Sequence, residues 1–122
     1  MSNDGSGVLR DLQNGRLDDQ WSCGSLRAAL ARLPGGGDAP YAGRALILVQ
    51  PTTRACDDAF AAVNADGTAA VNVRQALGKP SFVGPSQDGR CWVYVWPKNR
   101  DATIVSRFCF AKGKVLYVQI SQ

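Results

Sequence analysis

The sequence of 122 residues contains no histidine and no glutamate, so that all ten of its acidic residues are aspartate. Without histidine, the Ser-His-Asp and Cys-His arrangements, the histidine general base and the usual zinc sites are excluded. The neighbouring aspartates at 18–19 and 57–58 also have no histidine or glutamate to act as a proton-transfer partner. The composition therefore predicts a protein that is not an enzyme and that holds no metal ion or cofactor.

Long apolar runs and an export signal are missing as well. The sequence has no stretch of about eighteen apolar residues, which excludes a transmembrane helix. The first seven residues, MSNDGSG, are polar and glycine-rich, whereas a signal peptide begins with basic residues and continues with an apolar stretch. We therefore expect either a cytosolic protein or one whose export or lipoprotein signal precedes this sequence.

The length and composition are typical of one small globular domain. Apolar residues make up 45% of the chain and charged residues 20%, which fits a domain with a single core. Residues 1–20 are polar and are predicted to form a flexible N-terminal arm. Residues 21–122 are predicted to form a single α+β domain.

Helical patterns occupy the first two thirds of the sequence. Leucines at 26, 30 and 33 are spaced as on one helix face and predict a helix over 22–33. Shorter helices are predicted over 56–63 and 68–77. The continuous apolar run at 45–49, which Pro51 follows, predicts a buried strand-like segment.

The last third has the pattern of antiparallel strands. Apolar runs at 91–96, 103–110 and 115–120 are separated by short turns, and residues 81–90, rich in glycine and proline, are predicted to be a loop before them. We therefore predict an α+β fold. It is a two-layer sandwich of helices packed on a three-stranded antiparallel meander, with an extra N-terminal helix and a strand-like segment.

The first turn of the meander determines which residues face one another. A hairpin turn at 99–100 pairs residues whose numbers sum to about 200, and so places Cys91 opposite Cys109. Directly opposed residues have Cα atoms about 4.5–5.5 Å apart, which a disulfide can span. The register therefore predicts a Cys91–Cys109 disulfide and leaves Cys23–Cys56 as the second pair. Four buried free thiols are the alternative.

The same register divides the strand residues between two faces, and both faces are apolar. One face is predicted to carry Cys91, Val93, Val95, Val105, Arg107, Cys109, Leu116, Val118 and Ile120. The other is predicted to carry Trp92, Tyr94, Trp96, Ile104, Phe108, Phe110, Val115 and Tyr117. One face packs on the helices, and the other is covered by the N-terminal third or binds a partner. The predicted partner-binding residues are Trp92, Tyr94, Trp96 and Tyr117, together with Arg90 and Arg107.

Residues 67–80, GTAAVNVRQALGKP, resemble a segment of the SmpA/OmlA (BamE-like) lipoproteins of the bacterial envelope. That family has a glycine, then a helix with Val and Leu four residues apart, then Gly-x-Pro. The matching positions are Gly67, Val73, Leu77, Gly78 and Pro80. In the family, a strand with alternating aromatic residues and a hairpin with an apolar-x-Phe end follow this segment. Residues 92–96 correspond to the strand and residues 107–113 to the hairpin. The resemblance covers roughly residues 53–120.

This resemblance implies a non-enzymatic protein-interaction or scaffold module in the periplasm or at the periplasmic face of the outer membrane. The β-lactamase inhibitor proteins have a similar architecture, which implies the alternative of a secreted or periplasmic inhibitor or immunity-type protein. A cytosolic nucleic-acid binder is a third hypothesis, but the basic residues behind the net charge of +4 are spread along the chain. We therefore expect a protein partner, no nucleic acid and no small-molecule cofactor, with membrane association only through a lipid anchor.

Overall fold

A computed structural model of the chain describes residues 5–17, 20–33, 42–86, 89–99 and 101–121. Within these residues the helices are α1 (Ser6–Asp11), α2 (Cys23–Arg32), α3 (Ala42–Val63) and α4 (Ala70–Leu77). The strands are β1 (Phe82–Ser86), β2 (Gly89–Asn99), β3 (Ala102–Ala111) and β4 (Lys114–Ser121). This order confirms the α+β class and adds one strand to the three predicted.

The strands form one antiparallel sheet in the order β1-β2-β3-β4. Cys91 lies opposite Cys109 and Trp96 lies opposite Ile104, which confirms the predicted hairpin register. The loop predicted over 81–90 instead contains β1. A strand at the edge of a sheet can contain a proline because the missing N–H needs no ladder partner there.

Helix α3 takes in both the strand-like segment predicted at 45–49 and the helix predicted at 56–63. Leu48, Thr52 and Cys56 follow one another at helical spacing, and all three side chains are 0% exposed. They form one continuous buried stripe along the helix. Pro51 lies inside α3, where a proline ordinarily destabilises a helix, and the buried stripe continues on both sides of it.

The N-terminal elements pack on the helical layer. Ser22 Oγ accepts a hydrogen bond from the backbone N–H of Ser25 at 3.1 Å and so caps the first turn of α2. Within the predicted arm, residues 5–17 contain α1 and a short 3-10 helix. Val8 and Leu12 of this segment are buried in one cluster with Leu26 of α2.

Among the described residues, the helices pack on one face of the sheet, which we call the core face. Tyr94, Trp96 and Phe108 of this face form the main apolar cluster together with Val73 and Leu77 of α4. A second cluster joins α1, α2 and α3. None of the helices in the described part of the chain has the length and apolar character needed to cross a membrane.

Strand β4 departs from the predicted faces. Its pairing with β3 contains an irregularity at Leu116, beyond which Tyr117 lies opposite Cys109 and Val118 lies opposite Phe108. A bulge adds one residue to one strand and reverses the alternation that follows it. Tyr117 therefore lies on the face of Cys109, and the even-numbered residues after the bulge lie on the core face.

Two disulfides, Cys23–Cys56 and Cys91–Cys109, are present, and no described cysteine is free. The first joins α2 to α3, and the second joins β2 to β3. The second is the pair that the hairpin register predicts, and the first is the pair that then remains, so that both predicted disulfides are confirmed. Each disulfide strengthens one layer of the fold.

Candidate functional site

The six residues predicted to bind a partner fall into three groups, of which the first is buried. Tyr94 and Trp96 are 0% and 2% exposed. The Tyr94 hydroxyl donates a hydrogen bond to the Gly78 carbonyl at 2.9 Å, and Trp96 Nε1 donates to Asp57 Oδ1 at 3.0 Å. Both residues therefore join the sheet to the helices, and the structure offers neither of them to a partner.

The second group, Arg107 and Tyr117, lies on the opposite face of the sheet, which we call the open face. The register assigns to it Phe82, Gly84, Cys91, Val93, Val95, Pro97, Thr103, Val105, Arg107, Cys109, Ala111, Lys114, Tyr117, Gln119 and Ser121. The sheet residues that pack with the helices in the core all lie on the other face. The open face is apolar across β1, β2 and β3, and Phe82 at its edge is 65% exposed.

Arg107 stands in the middle of the open face. It lies opposite Val93 of β2 and opposite Gln119 of β4. Lys114, which lies opposite Ala111 at the end of β4, is the other charged residue that the register assigns to this face. Arg107 is half-buried, and none of the residues that the structure describes forms a hydrogen bond or ion pair with its side chain. A guanidinium in apolar surroundings is a strong site for a carboxylate.

The third group, Arg90 and Trp92, lies at one end of the core face in a cleft of about 530 Å³, which we call the basic cleft. The cleft is lined by Ala70, Arg90, Trp92, Phe110, Ala111, Lys112 and Gly113. The rings of Trp92 and Phe110 meet edge to face, with 4.5 Å between their centroids. The structure thus brings two of the predicted residues together with Lys112, which is not among the predicted partner-binding residues.

The turn between β3 and β4 forms one side of the basic cleft. Lys112 and Gly113 have φ values of 54° and 77°, and two consecutive positive φ angles are what a type I′ turn requires. The Ala70 N–H donates a hydrogen bond to the Gly113 carbonyl at 2.8 Å, and the Gly67 N–H donates to the Val115 carbonyl at 2.7 Å. These bonds hold the start of α4 against the turn.

Sequence reasoning missed Arg27, which is 9% exposed. Its guanidinium is surrounded by acceptors: Leu77 O at 2.7 Å, Lys79 O at 2.9 Å, Val95 O at 3.1 Å and Ser81 Oγ at 2.6 Å. An arginine beside the apolar stripe of α2 is ordinarily a solvent-facing residue. The only feature of the sequence that could have indicated the burial of Arg27 is its position one residue after Leu26, which is itself buried. Its contacts hold α2, α4 and the sheet together.

The two ionisable groups in this region have shifted pKa values. Burial lowers the pKa of Arg27 to about 10, although the nearby Tyr94 phenol opposes the shift. Burial raises the pKa of Tyr94 to about 12, against the opposing effects of Arg27 and Arg74. The hydrogen bonds of Arg27 all go to acceptors within the protein. The region around Arg27 and Tyr94 therefore has a structural role.

The described residues show no metal centre, since no three His, Cys, Asp or Glu side chains among them come together. The chain matches no protein-family model, no curated protein and no solved structure. The resemblance of residues 53–120 to the SmpA/OmlA lipoproteins therefore stays a prediction.

Proposed function

We propose that the protein is a non-enzymatic protein-interaction module of the bacterial envelope and that it binds its partner through the open face. The observation that carries this proposal is an apolar sheet face with a half-buried arginine at its centre, on the side away from the helices. Apolar surfaces of this kind are typical of protein–protein interaction sites. The core aromatic residues serve the fold instead.

The disulfides support an envelope location. Structural disulfides form and persist in oxidising compartments such as the bacterial periplasm, and they are rare in the cytosol. The chain has one disulfide in each layer. The resemblance to the SmpA/OmlA lipoproteins supports the same compartment and a role in binding rather than catalysis.

Charge complementarity defines the chemistry of the partner. Arg107 is the charged residue in the middle of the open face, since Lys114 lies at its end, and it has no partner among the described residues. Covering it with an uncharged apolar surface would leave its charge buried and unpaired, which is costly. The partner is therefore a protein that presents an apolar patch with a carboxylate at its centre. Removing one member of such a buried charge pair costs about 2–5 kcal/mol of binding free energy.

Site-specific photocrosslinking in the bacterium that naturally produces the protein tests this proposal. A crosslinkable residue at Val105 reports on the open face, and one at Arg54, an exposed position on α3, is the control. We expect one major protein adduct from Val105 that is absent from Arg54. Arg107→Glu should abolish this adduct, whereas the matched charge reversal Arg54→Glu should leave it unchanged.

Identical adducts from the two positions, or an adduct that survives Arg107→Glu in a folded protein, would contradict the proposal. The identity of the adduct separates a scaffold role from the inhibitor or immunity-type role. A single enzyme that loses activity when the protein binds would establish the second.

A further inference from the structure

We propose that the basic cleft is a binding site for an oxyanion joined to an aromatic or branched apolar group, as in an aromatic carboxylate or an aromatic phosphate ester. The cleft has a cationic half that would hold the oxyanion and an apolar half that would hold the group attached to it. This site is separate from the open face and does not depend on the function proposed above.

The cationic half consists of Arg90 and Lys112. Both side chains are exposed, and within the described part of the chain neither forms a hydrogen bond or an ion pair. None of the residues that line the cleft is acidic. The planar guanidinium can donate two parallel hydrogen bonds to a carboxylate or phosphate, and the ammonium adds a second positive charge.

The apolar half consists of Trp92 and Phe110. Trp92 is only half-buried, although its ring packs edge to face on Phe110. The indole N–H has no acceptor among the described residues. A half-exposed indole beside two cations therefore provides an apolar contact surface and an additional hydrogen-bond donor.

Small residues leave room in front of these groups. Ala70 and Gly113 line the cleft, and a Cβ added at Gly113 would meet no atom within 4 Å. A volume of about 530 Å³ lies within the usual range for small-molecule sites, which is roughly 300–1,000 Å³. A group of the size of a phenyl ring with its attached oxyanion fits this volume.

The test is an NMR titration of the full ¹⁵N-labelled chain, read at the three tryptophan indole N–H groups. Phenylacetate and phenyl phosphate are the two probes. 2-Phenylethanol lacks the anion, while acetate and inorganic phosphate lack the apolar group. We expect saturable shifts of the Trp92 resonance with at least one probe, at an affinity at least about tenfold above that of all three controls. Trp21 and Trp96, whose indoles donate to Asp11 and Asp57, should not shift.

Two variants remove the charges separately. Lys112→Asn keeps the turn because asparagine accepts the left-handed conformation, and Arg90→Gln lies at an exposed position. Each should weaken probe binding at least about fivefold, whereas Lys79→Gln, outside the cleft, should not. The stronger of the two probes identifies the oxyanion as carboxylate or phosphate. The proposal is wrong if neither probe shifts Trp92 saturably, if any control compound binds as tightly as the probes, or if both variants bind like the original protein.

Discussion

The guanidinium of Arg27 lies over the ring of Tyr94, with 4.8 Å between Arg27 Cζ and the ring centroid. The same guanidinium donates to the carbonyls of Leu77 and Lys79, where α4 ends. Carbonyls at the C-terminus of a helix carry partial negative charge and lack partners within the helix. One buried side chain thus satisfies the end of α4 and links it to α2 and β2.

Replacing Arg27 should destabilise the protein strongly. Arg27→Ala leaves several inward-facing acceptors without a donor, and we expect a loss of about 3 kcal/mol in the free energy of unfolding. Arg27→Lys keeps the charge but not the planar geometry and should cost less. Urea denaturation measures both values, with Arg54→Ala on the exposed side of α3 as a control that should stay within about 0.5 kcal/mol. A cost for Arg27→Ala as small as that of the control would contradict this role.

Tyr94 should make the protein sensitive to alkali. Its pKa is raised from 10.0 to about 12 in the folded protein, so that the unfolded chain loses this proton first. The stabilisation is complete below pH 10 and is lost as the pH rises from about 10 to about 12. Absorbance at 295 nm during an alkaline titration should show a late ionisation, which Tyr94→Phe removes. A late part of the titration curve that is unchanged in Tyr94→Phe would disprove the shift.

Gly78 and Gly67 both have positive φ angles, of 83° and 86°, but only Gly78 lies against α2. Alanine is disfavoured by the backbone at both positions, and more strongly at Gly78, whose ψ of −158° lies in a region that is essentially restricted to glycine. A Cβ at Gly78 would lie 2.6 Å from the Gly24 Cα, whereas one at Gly67 would meet nothing within 4 Å. We expect Gly78→Ala to lower the free energy of unfolding by at least about 1 kcal/mol more than Gly67→Ala. Equal losses in urea denaturation would show that α2 moves freely away from Gly78.

The two disulfides predict the result of a thiol count. Protein isolated without reductant from its native host, unfolded with an alkylating agent and weighed by mass spectrometry, should carry no alkyl group. The paired replacements Cys91→Ala with Cys109→Ala remove a crosslink that spans 18 residues, and should cost about 3 kcal/mol. Four alkylated thiols would instead indicate a reducing compartment and contradict the envelope location.

The hairpin of β2 and β3 was predictable because a short turn and strict alternation leave few alternative registers. The faces of β4 were not, since no residue type marks a bulge at Leu116. Helix α3 was not predictable as a single helix, because the apolar run before Pro51 fits a strand equally well. Only the joint burial of Leu48, Thr52 and Cys56 shows that the segment is helical. Tertiary packing overrides local pattern in such segments.

The candidate sites were predictable only in part. Sequence alternation places Trp92, Tyr94 and Trp96 on one face, but it does not tell which of two apolar faces packs on the helices. Alternation also predicts that Arg107 lies on the face opposite these rings, and the strand register confirms it. Lys112 and Ala70 come together because backbone hydrogen bonds of residues 67–70 hold the start of α4 against the turn between β3 and β4. These two parts of the chain are distant in sequence.

The Cys23–Cys56 disulfide makes residues 23–56 a covalently closed ring within the chain. A protease that cuts once inside this ring releases no fragment, because the two new ends belong to pieces that the disulfide still joins. The nicked chain would run as one species on a non-reducing gel and as two on a reducing gel. All of the sheet and α4 lie outside the ring, and they would stay attached to α1 and α2 after such a cut. In a compartment that contains proteases, this link keeps a damaged molecule in one piece.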